Sequence, residues 1–457
     1  MSLEERLITP IGEVISKSIM SLDSLKDASL LFMSSIDEEV KKARKDFRQE
    51  ADPFKKEVIL EDVEEGEKTK IVFNIPASHR RKITDRHKRF QRLLHAKGII
   101  PRNFLIAYVS EFDYFLGALL KSIYKLRPEL LNSSEKVFDF KDLCRFESLE
   151  DIREEVIEKD IEKILRASHS EQFKAIASKL EIDTLTKFPN WSKFIEITER
   201  RNLFVHADGI ISTQYQKVCA GVGIKIDDNQ IGEKLECSID YLNDTYNIMH
   251  EVIIKLGQTV WRKVFGKELE HKQSADNYLI SVLFELLCNE QYALAINIGE
   301  FAIGQKNISN DFRKKMMIIN LCLAYKYLNK KEKYENILNQ YDWSSVQDLF
   351  QLAISCINDE HIKSCELIKK LISNDSDELT EATLHSWPLF NVLKEQTIFN
   401  EMYFELFKTN FNNVSIIDKP ALQEEISNAD LEVSKTTVKP VEGLVDGSVK
   451  SNFSKFI

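Results

Sequence analysis

The residues of this chain best suited to chemistry stand together in Glu199-Arg200-Arg201-Asn202-Leu203-Phe204-Val205-His206-Ala207-Asp208-Gly209. Histidine exchanges protons near neutral pH, so His206 is a candidate acid or base. Arg201 presents a planar, permanently charged fork that matches phosphate oxygens, which lysine would not reproduce. Asn202 adds a neutral donor and acceptor. The stretch closes a helix expected from about Asn190 to Asp208, with Asn190 as N-cap after Pro189 and Gly209 in the left-handed position beyond the end. His206 then lies in the last turn, where the negative end of the macrodipole favours a cation. At about 100° per residue, Asn202 and His206 stand about 40° apart and share a face, whereas Arg201 and His206 are about 140° apart. One ideal helix therefore does not aim Arg201 and His206 at one point. The same residues also allow a plainer reading, in which Arg200 and Arg201 pair with Glu196 or Glu199 and His206 caps helix carbonyls. Tyr215 either stacks on a base or packs in the core, with packing favoured, and Asp113 and Glu111 are either supports for the site or ordinary wet residues.

Other chemistries lack their residues. The sequence holds no Gly-x-x-x-x-Gly-Lys-Ser/Thr, Gly-x-Gly-x-x-Gly, His-Glu-x-x-His or Gly-x-Ser-x-Gly. His79, His87 and His95 recur every eight residues, so they drift by about 80° per step around a helix instead of forming a metal face. The seven cysteines include no Cys-x-x-Cys and no zinc-finger spacing, which reads as buried free thiols in a reducing compartment. No metal or cofactor is expected.

The elements that must hold the candidate residues are helical. Gly (14) and Pro (9) together make about 5% of the 457 residues, well under the usual share of about 12%, which disfavours loop-rich sandwiches and propellers. Pro101 is expected to open a long helix whose apolar positions Leu105, Val109, Phe112, Phe115, Leu116, Leu119, Leu120 and Ile123 recur at three- and four-residue steps. Further helices are expected over 149–167, 170–179 and 240–263. Val58-Ile59-Leu60 and Ile71-Val72-Phe73 flank a Glu65-Gly66 turn signal and predict a small hairpin. A second two-stranded excursion is expected after the glycine cluster, over 222–226 and 234–239.

From Ser274 onward the pattern changes to helix-turn-helix pairs with breaks near Asn289, Asn329 and Asn358, a mean spacing close to the tetratricopeptide period of about 34 residues. The full tetratricopeptide consensus is not present. The fold class is therefore all-α, in four regions: an N-terminal helical and hairpin region over 1–84, a helical bundle with a short β-hairpin insertion over 85–268, a helical-hairpin domain over 269–410, and a mostly disordered tail over 411–457. The N-terminus has no signal-peptide pattern, and the run from Phe104 to Leu120 is broken by Ser110, Glu111 and Asp113, so a cytoplasmic protein without a membrane span is expected.

Charge narrows the partners. With 63 Lys+Arg against 73 Asp+Glu the net charge is -10, so any nucleic acid must meet a local patch. From His79 to Arg102 nine Lys/Arg face the single acid Asp85. That strip, with Arg80, Arg81, Arg86 and Arg89 as candidate phosphate contacts, is either a landing strip for RNA or DNA or a solvated helix face.

Arg201-Asn202 with His206, in Arg-Asn-Leu-x-Val-His-x-x-Gly at a helix end inside an all-helical region, resembles the HEPN superfamily over roughly residues 85–268. The family signature is Arg, a polar residue, about three more residues, then His. The resemblance implies metal-independent RNA cleavage by attack of the ribose 2′-OH on the adjacent phosphate. It implies a homodimer whose two motifs line one cleft, with His206 as general acid or base, Arg201 on the phosphate and Asn202 as an orienting hydrogen bonder. Arg200 is the nearest substitute for Arg201, because the family also allows five intervening residues. It further implies a role like that of bacterial toxins and antiviral effectors, the C-terminal array sensing a trigger or holding a regulatory or neutralising partner. The competing expectation is a non-catalytic helical scaffold or an RNA-binding regulatory protein.

Overall fold

Thr9 begins the first long helix: its side chain accepts from the Gly12 N–H at 3.2 Å, and Pro10 follows in the first turn, where a missing N–H costs nothing. A computed structural model describes residues 9–60, 68–131, 139–143, 145–343, 347–373 and 379–411; the expected tail over 412–457, the Glu65-Gly66 turn and Cys144 lie outside them. The chain forms two compact units, Ile8–His271 and the segment from Lys272 on.

In the first unit, α1 (Pro10–Ala51) is followed by the antiparallel hairpin β1 (Lys55–Leu60) and β2 (Lys68–Phe73), in register Lys55 to Phe73 and Leu60 to Lys68, as the sequence predicts. Next comes α2 (Ala77–Leu126). This helix does not open at Pro101, which lies buried inside it. The proline loses one backbone hydrogen bond, but the residues before it continue to pack on α1, and tertiary contact overrides local propensity. Ion pairs descend the antiparallel pair: Lys82 to Glu50 at 2.5 Å, Arg86 to Asp46 at 3.1 Å, Arg89 to Glu39 at 2.7 Å and Lys97 to Asp37 at 2.6 Å. The expected boundary at residue 84 therefore falls within a continuous helix, and the N-terminal region folds with the bundle.

Helices α3 (Phe140–Leu143), α4 (Leu149–Leu165), α5 (His169–Leu180), α6 (Trp191–His206) and α7 (Thr213–Gly221) lead to α8 (Ile239–Phe265). Every residue of α8 from Ile248 to Gln258 is buried, because α1, α2, α5 and α6 surround it. Its polar residues are satisfied internally: Lys255 Nζ donates to Glu251 Oε1 at 2.6 Å and Asn190 Nδ2 donates to Glu251 Oε2 at 2.7 Å. Gly257 lets α1 approach closely, since a Cβ there would lie 2.6 Å from Ile15 Cδ1. Gly257→Ala is expected to destabilise the protein by about 1–3 kcal/mol through overpacking, and Ile15→Ala in the same chain should cost less than the sum of the two changes. Urea unfolding of the four chains checks this; strict additivity would show that the two positions do not press on each other.

The expected strands over 222–239 are not formed. Ser212 Oγ accepts from Tyr215 N at 3.1 Å and caps α7, and the following loop makes only the bridge Ile210 to Lys234. Positive φ at Gly223 and Gly232 turns the chain, and Ile224, Ile226, Ile231 and Leu235 pack over Leu203, Ile211, Tyr215 and Cys219 instead of pairing.

The second unit stacks helical hairpins: α9 (Leu269–Cys288) with α10 (Tyr292–Ile303), α11 (Asp311–Tyr327) with α12 (Lys331–Leu338), and α13 (Asp348–Ile357) with α14 (His361–Ser373). Each pair turns through one left-handed residue, Glu290, Asn329 or Asp359, and each turn repeats a hydrogen bond back five residues: Gln291 N to Leu286 O, Lys330 N to Tyr325 O and Glu360 N to Ser355 O. Short helices α15 (Glu381–Ser386), α16 (Asn391–Lys394) and α17 (Thr397–Phe407) follow. Among the described residues the architecture is all-α apart from one small hairpin. Among the described helices α2 alone is long and apolar enough to cross a membrane by length and composition, and 44% of its apolar window is buried inside the protein, as in a core helix.

Candidate functional site

Helix α6 buries Phe194, Ile195, Ile197, Thr198, Leu203 and Phe204 and ends at His206. Asp208 and Gly209 both take positive φ, and Gly209 N donates to Leu203 O at 3.0 Å. A side chain at 209 would meet Leu235 O and the Phe204 ring at 3.1 Å, so glycine is required there on two counts. The sequence expectation for this helix end holds. The side chain of Asn190 does not cap the start; it is spent on Glu251.

His206 is exposed and, among the described residues, has no hydrogen-bond partner. Exposed Val205 and Ile210 stand near it in sequence. The carbonyl-capping role that the plainer reading gave to His206 belongs to Arg102, whose Nη2 donates to Phe204 O at 2.5 Å while its Nη1 reaches Asp208 Oδ1 at 2.6 Å. Lys234 Nζ donates to Asp208 Oδ2 at 2.5 Å. Lys234 and then Arg102 hold the Asp208 carboxyl down to about 2. Two cations and one carboxylate therefore gather at the end of α6. The Arg102 contact spans 106 residues of chain, and no local spacing could have announced it.

Arg201 turns the other way. Its Nη2 donates to Asp113 Oδ2 at 2.5 Å, and its Nη1 donates to Asn202 Oδ1 at 3.2 Å. Asp113 Oδ1 lies 2.9 Å from His169 Nε2, and His169 is packed between the rings of Phe112 and Phe194. The Arg201 side chain keeps 21% of its surface exposed, and its Nε is buried without a partner. Asp113 is thus an anchor for Arg201 and not an ordinary wet residue; the sequence offered it as one of two readings. His169 had no signal beyond its type. The divergence of Arg201 and His206 follows the helix arithmetic.

Arg200, offered by the sequence as the substitute for Arg201, is engaged elsewhere. Its Nε donates to Glu196 Oε1 at 2.7 Å, Nη1 donates to Glu236 O at 3.2 Å, and the guanidinium lies 3.9 Å over the Tyr241 ring. Glu196 also accepts from the hydroxyls of Tyr215 and Tyr241. Burial, then the Glu196 charge, pushes both hydroxyls above the usual tyrosine range, so they stay donors. This cluster is structural, and Tyr215 packs as expected.

The basic strip is largely spent as well. Arg86 and Arg89 pair with α1, so neither offers an uncommitted charge to phosphate, contrary to the expectation from charge count alone. Arg80 is exposed and has no partner among the described residues, and Arg81, 97% exposed, has Asp85 at 4.0 Å. Among the described residues no three His, Cys, Asp or Glu side chains converge on a point. Cys288 is exposed, whereas the thiols near the site are buried, which pushes Cys219 up to about 11 and Cys237 up to about 12. Comparison with protein-family models, curated proteins and solved structures gives no match for this chain.

Proposed function

We propose that the chain is a metal-independent endoribonuclease of the HEPN type, acting as a homodimer. The observation that carries this reading is the unpartnered, exposed His206 at a helix end bearing Arg102 and Lys234, one helical turn after Arg201 and Asn202. The ribose 2′-OH attacks the adjacent phosphorus, the 5′-oxygen leaves, and His206 takes the first proton or gives the second. Arg201 keeps unused N–H donors for the phosphate oxygens, and Asp113 and Asn202 fix its plane. The products are a 2′,3′-cyclic phosphate and a 5′-hydroxyl. In a cell this activity would stop translation, and the C-terminal hairpins, tetratricopeptide-like in spacing, would hold the regulator of a toxin or antiviral effector.

One observation favours the second reading, a non-catalytic RNA-binding scaffold: Asp113 already neutralises Arg201. Incubating several RNA classes with the full-length dimer in EDTA separates the two. Cleavage leaving cyclic phosphate ends is expected, and intact RNA in the presence of a verified dimer would select the scaffold.

A further inference from the structure

Helix α1 outruns the bundle. Gly12 lies against Trp261 and Tyr246 donates to Asp23, so α8, which begins at Ile239, reaches only about as far as Leu30 on α1. Beyond that point α1 and α2 form a two-helix arm with a thin core of Met33, Ala43, Ala51 and Ile83. The acids Glu39, Asp46 and Glu50 of α1 are all engaged by α2. Lys41, Arg44, Lys45 and Arg48 are exposed and have no acidic partner among the described residues. Their spacing of three, four and seven places them in one stripe about 100° wide and about 10 Å long, with Glu39, Asp46 and Glu50 about 150° or more around the helix from its centre and the exposed Glu38 flanking it at about 70°. On α2, Lys88 and Arg92 are likewise exposed and unpaired.

We infer that this arm is a docking surface for the sugar-phosphate backbone of RNA, with Lys41, Arg44, Lys45 and Arg48 as its principal phosphate contacts. The inference rests on the nuclease reading and extends it to a second place on the substrate. Charge complementarity supports it: four uncommitted cations share one face of an arm in a chain whose net charge is -10. The stripe contains no apolar side chain, and the nearest aromatic, Phe47, is half-buried and stacked on Phe90, so it lacks the apolar face that a lipid surface requires. It also offers no ring for base stacking, so it tracks backbone without reading sequence. The Arg89 to Glu39 pair sets the stripe about 20 Å along α2 from Arg102, the residue that clasps the end of α6. One RNA strand spans that interval.

The test uses full-length His206→Ala protein, so that binding is read without cleavage. Binding of a mixed-sequence RNA, single-stranded and as a duplex, is measured across a salt series for this chain and for the same chain with K41Q/R44Q/K45Q/R48Q or K41E/R44E/K45E/R48E. Circular dichroism verifies helicity, and Lys82→Gln, which removes a paired cation, is the control. At low salt the quadruple variants should lose at least about tenfold in affinity, and the salt slope should fall by about three to four, while the control stays near the parent. Unchanged affinity and slope in both quadruple variants would overturn the inference. So would stripe-dependent binding to phosphatidylglycerol vesicles without stripe-dependent binding to RNA. Stripe-dependent binding by a wild type that never cleaves would sink the nuclease reading and leave the docking surface standing.

Discussion

An equimolar mixture of Arg201→Ala and His206→Ala chains, unfolded and refolded together, should cleave RNA at about a quarter of the wild-type rate, although each variant alone falls by about 10²–10⁴-fold. The expectation comes from the directions in which the two side chains leave α6. Arg201 runs to Asp113 on α2, while His206 stands exposed at the end of the helix. On one copy the two positions stand about 140° apart around the helix. In the proposed two-fold dimer the Arg201 of one chain would meet the His206 of its partner, so a mixed dimer would hold one intact pairing and one doubly empty one. Half of the refolded dimers are mixed, which gives the quarter. A mixture no more active than its components would place both residues of a working site on the same chain. Full activity in the His206→Ala chain alone would remove His206 from the chemistry altogether.

The helix that carries the candidate residues was readable because its determinants are local. The apolar steps and the glycine after Asp208 lie within a few residues of what they control, and α6 follows them closely, while the Asn190 side chain turns to distant Glu251 instead of capping the start. The three hairpin turns of the C-terminal unit were readable to within a residue, the breaks expected near Asn289, Asn329 and Asn358 falling at Glu290, Asn329 and Asp359. Failures occurred where distant chain decides. Pro101 looks like a helix start only if α1 is ignored, and the strip from His79 to Arg102 looks free only if Glu39, Asp46 and Glu50 are not known to lie opposite it. Val222-Gly223-Ile224-Lys225-Ile226 has strand-like residues, but Gly223 at φ 85° and the docking of Ile224 and Ile226 over α7 consume it as a loop. At the site, residue type alone singled out Arg201 and His206 as candidates. How each arginine is engaged depended on Glu196, four residues before Arg200 and pointing at it, and on Asp113, 88 residues before Arg201.

Glu196→Ala should destabilise the first unit by about 3–5 kcal/mol, the usual cost of breaking a buried ion pair from one side. The Glu196 side chain is 9% exposed and that of Arg200 16%, so solvent cannot take over the lost contacts without the helix moving. Removing the carboxylate leaves the Arg200 guanidinium with only Glu236 O and the Tyr241 face, and leaves the Tyr215 and Tyr241 hydroxyls without their acceptor. Those tyrosines belong to α7 and α8, so a single carboxylate ties α6 to both neighbours and fixes the rotation of the helix that carries Arg201 and His206. Glu196→Gln keeps an acceptor for one hydroxyl but no counter-charge for Arg200, and should fall between alanine and the wild type. In a unit of this size the alanine variant should melt about 10 °C lower. Urea unfolding of the three chains orders them, and an alanine variant within about 1 kcal/mol of the wild type would show that Arg200 finds another carboxylate. RNA cleavage by the glutamine variant, measured well below its melting temperature, then asks whether the rotation of α6 matters to chemistry. Loss of rate with the fold intact would mean that the buried Arg200 cluster sets the aim of Arg201 and His206.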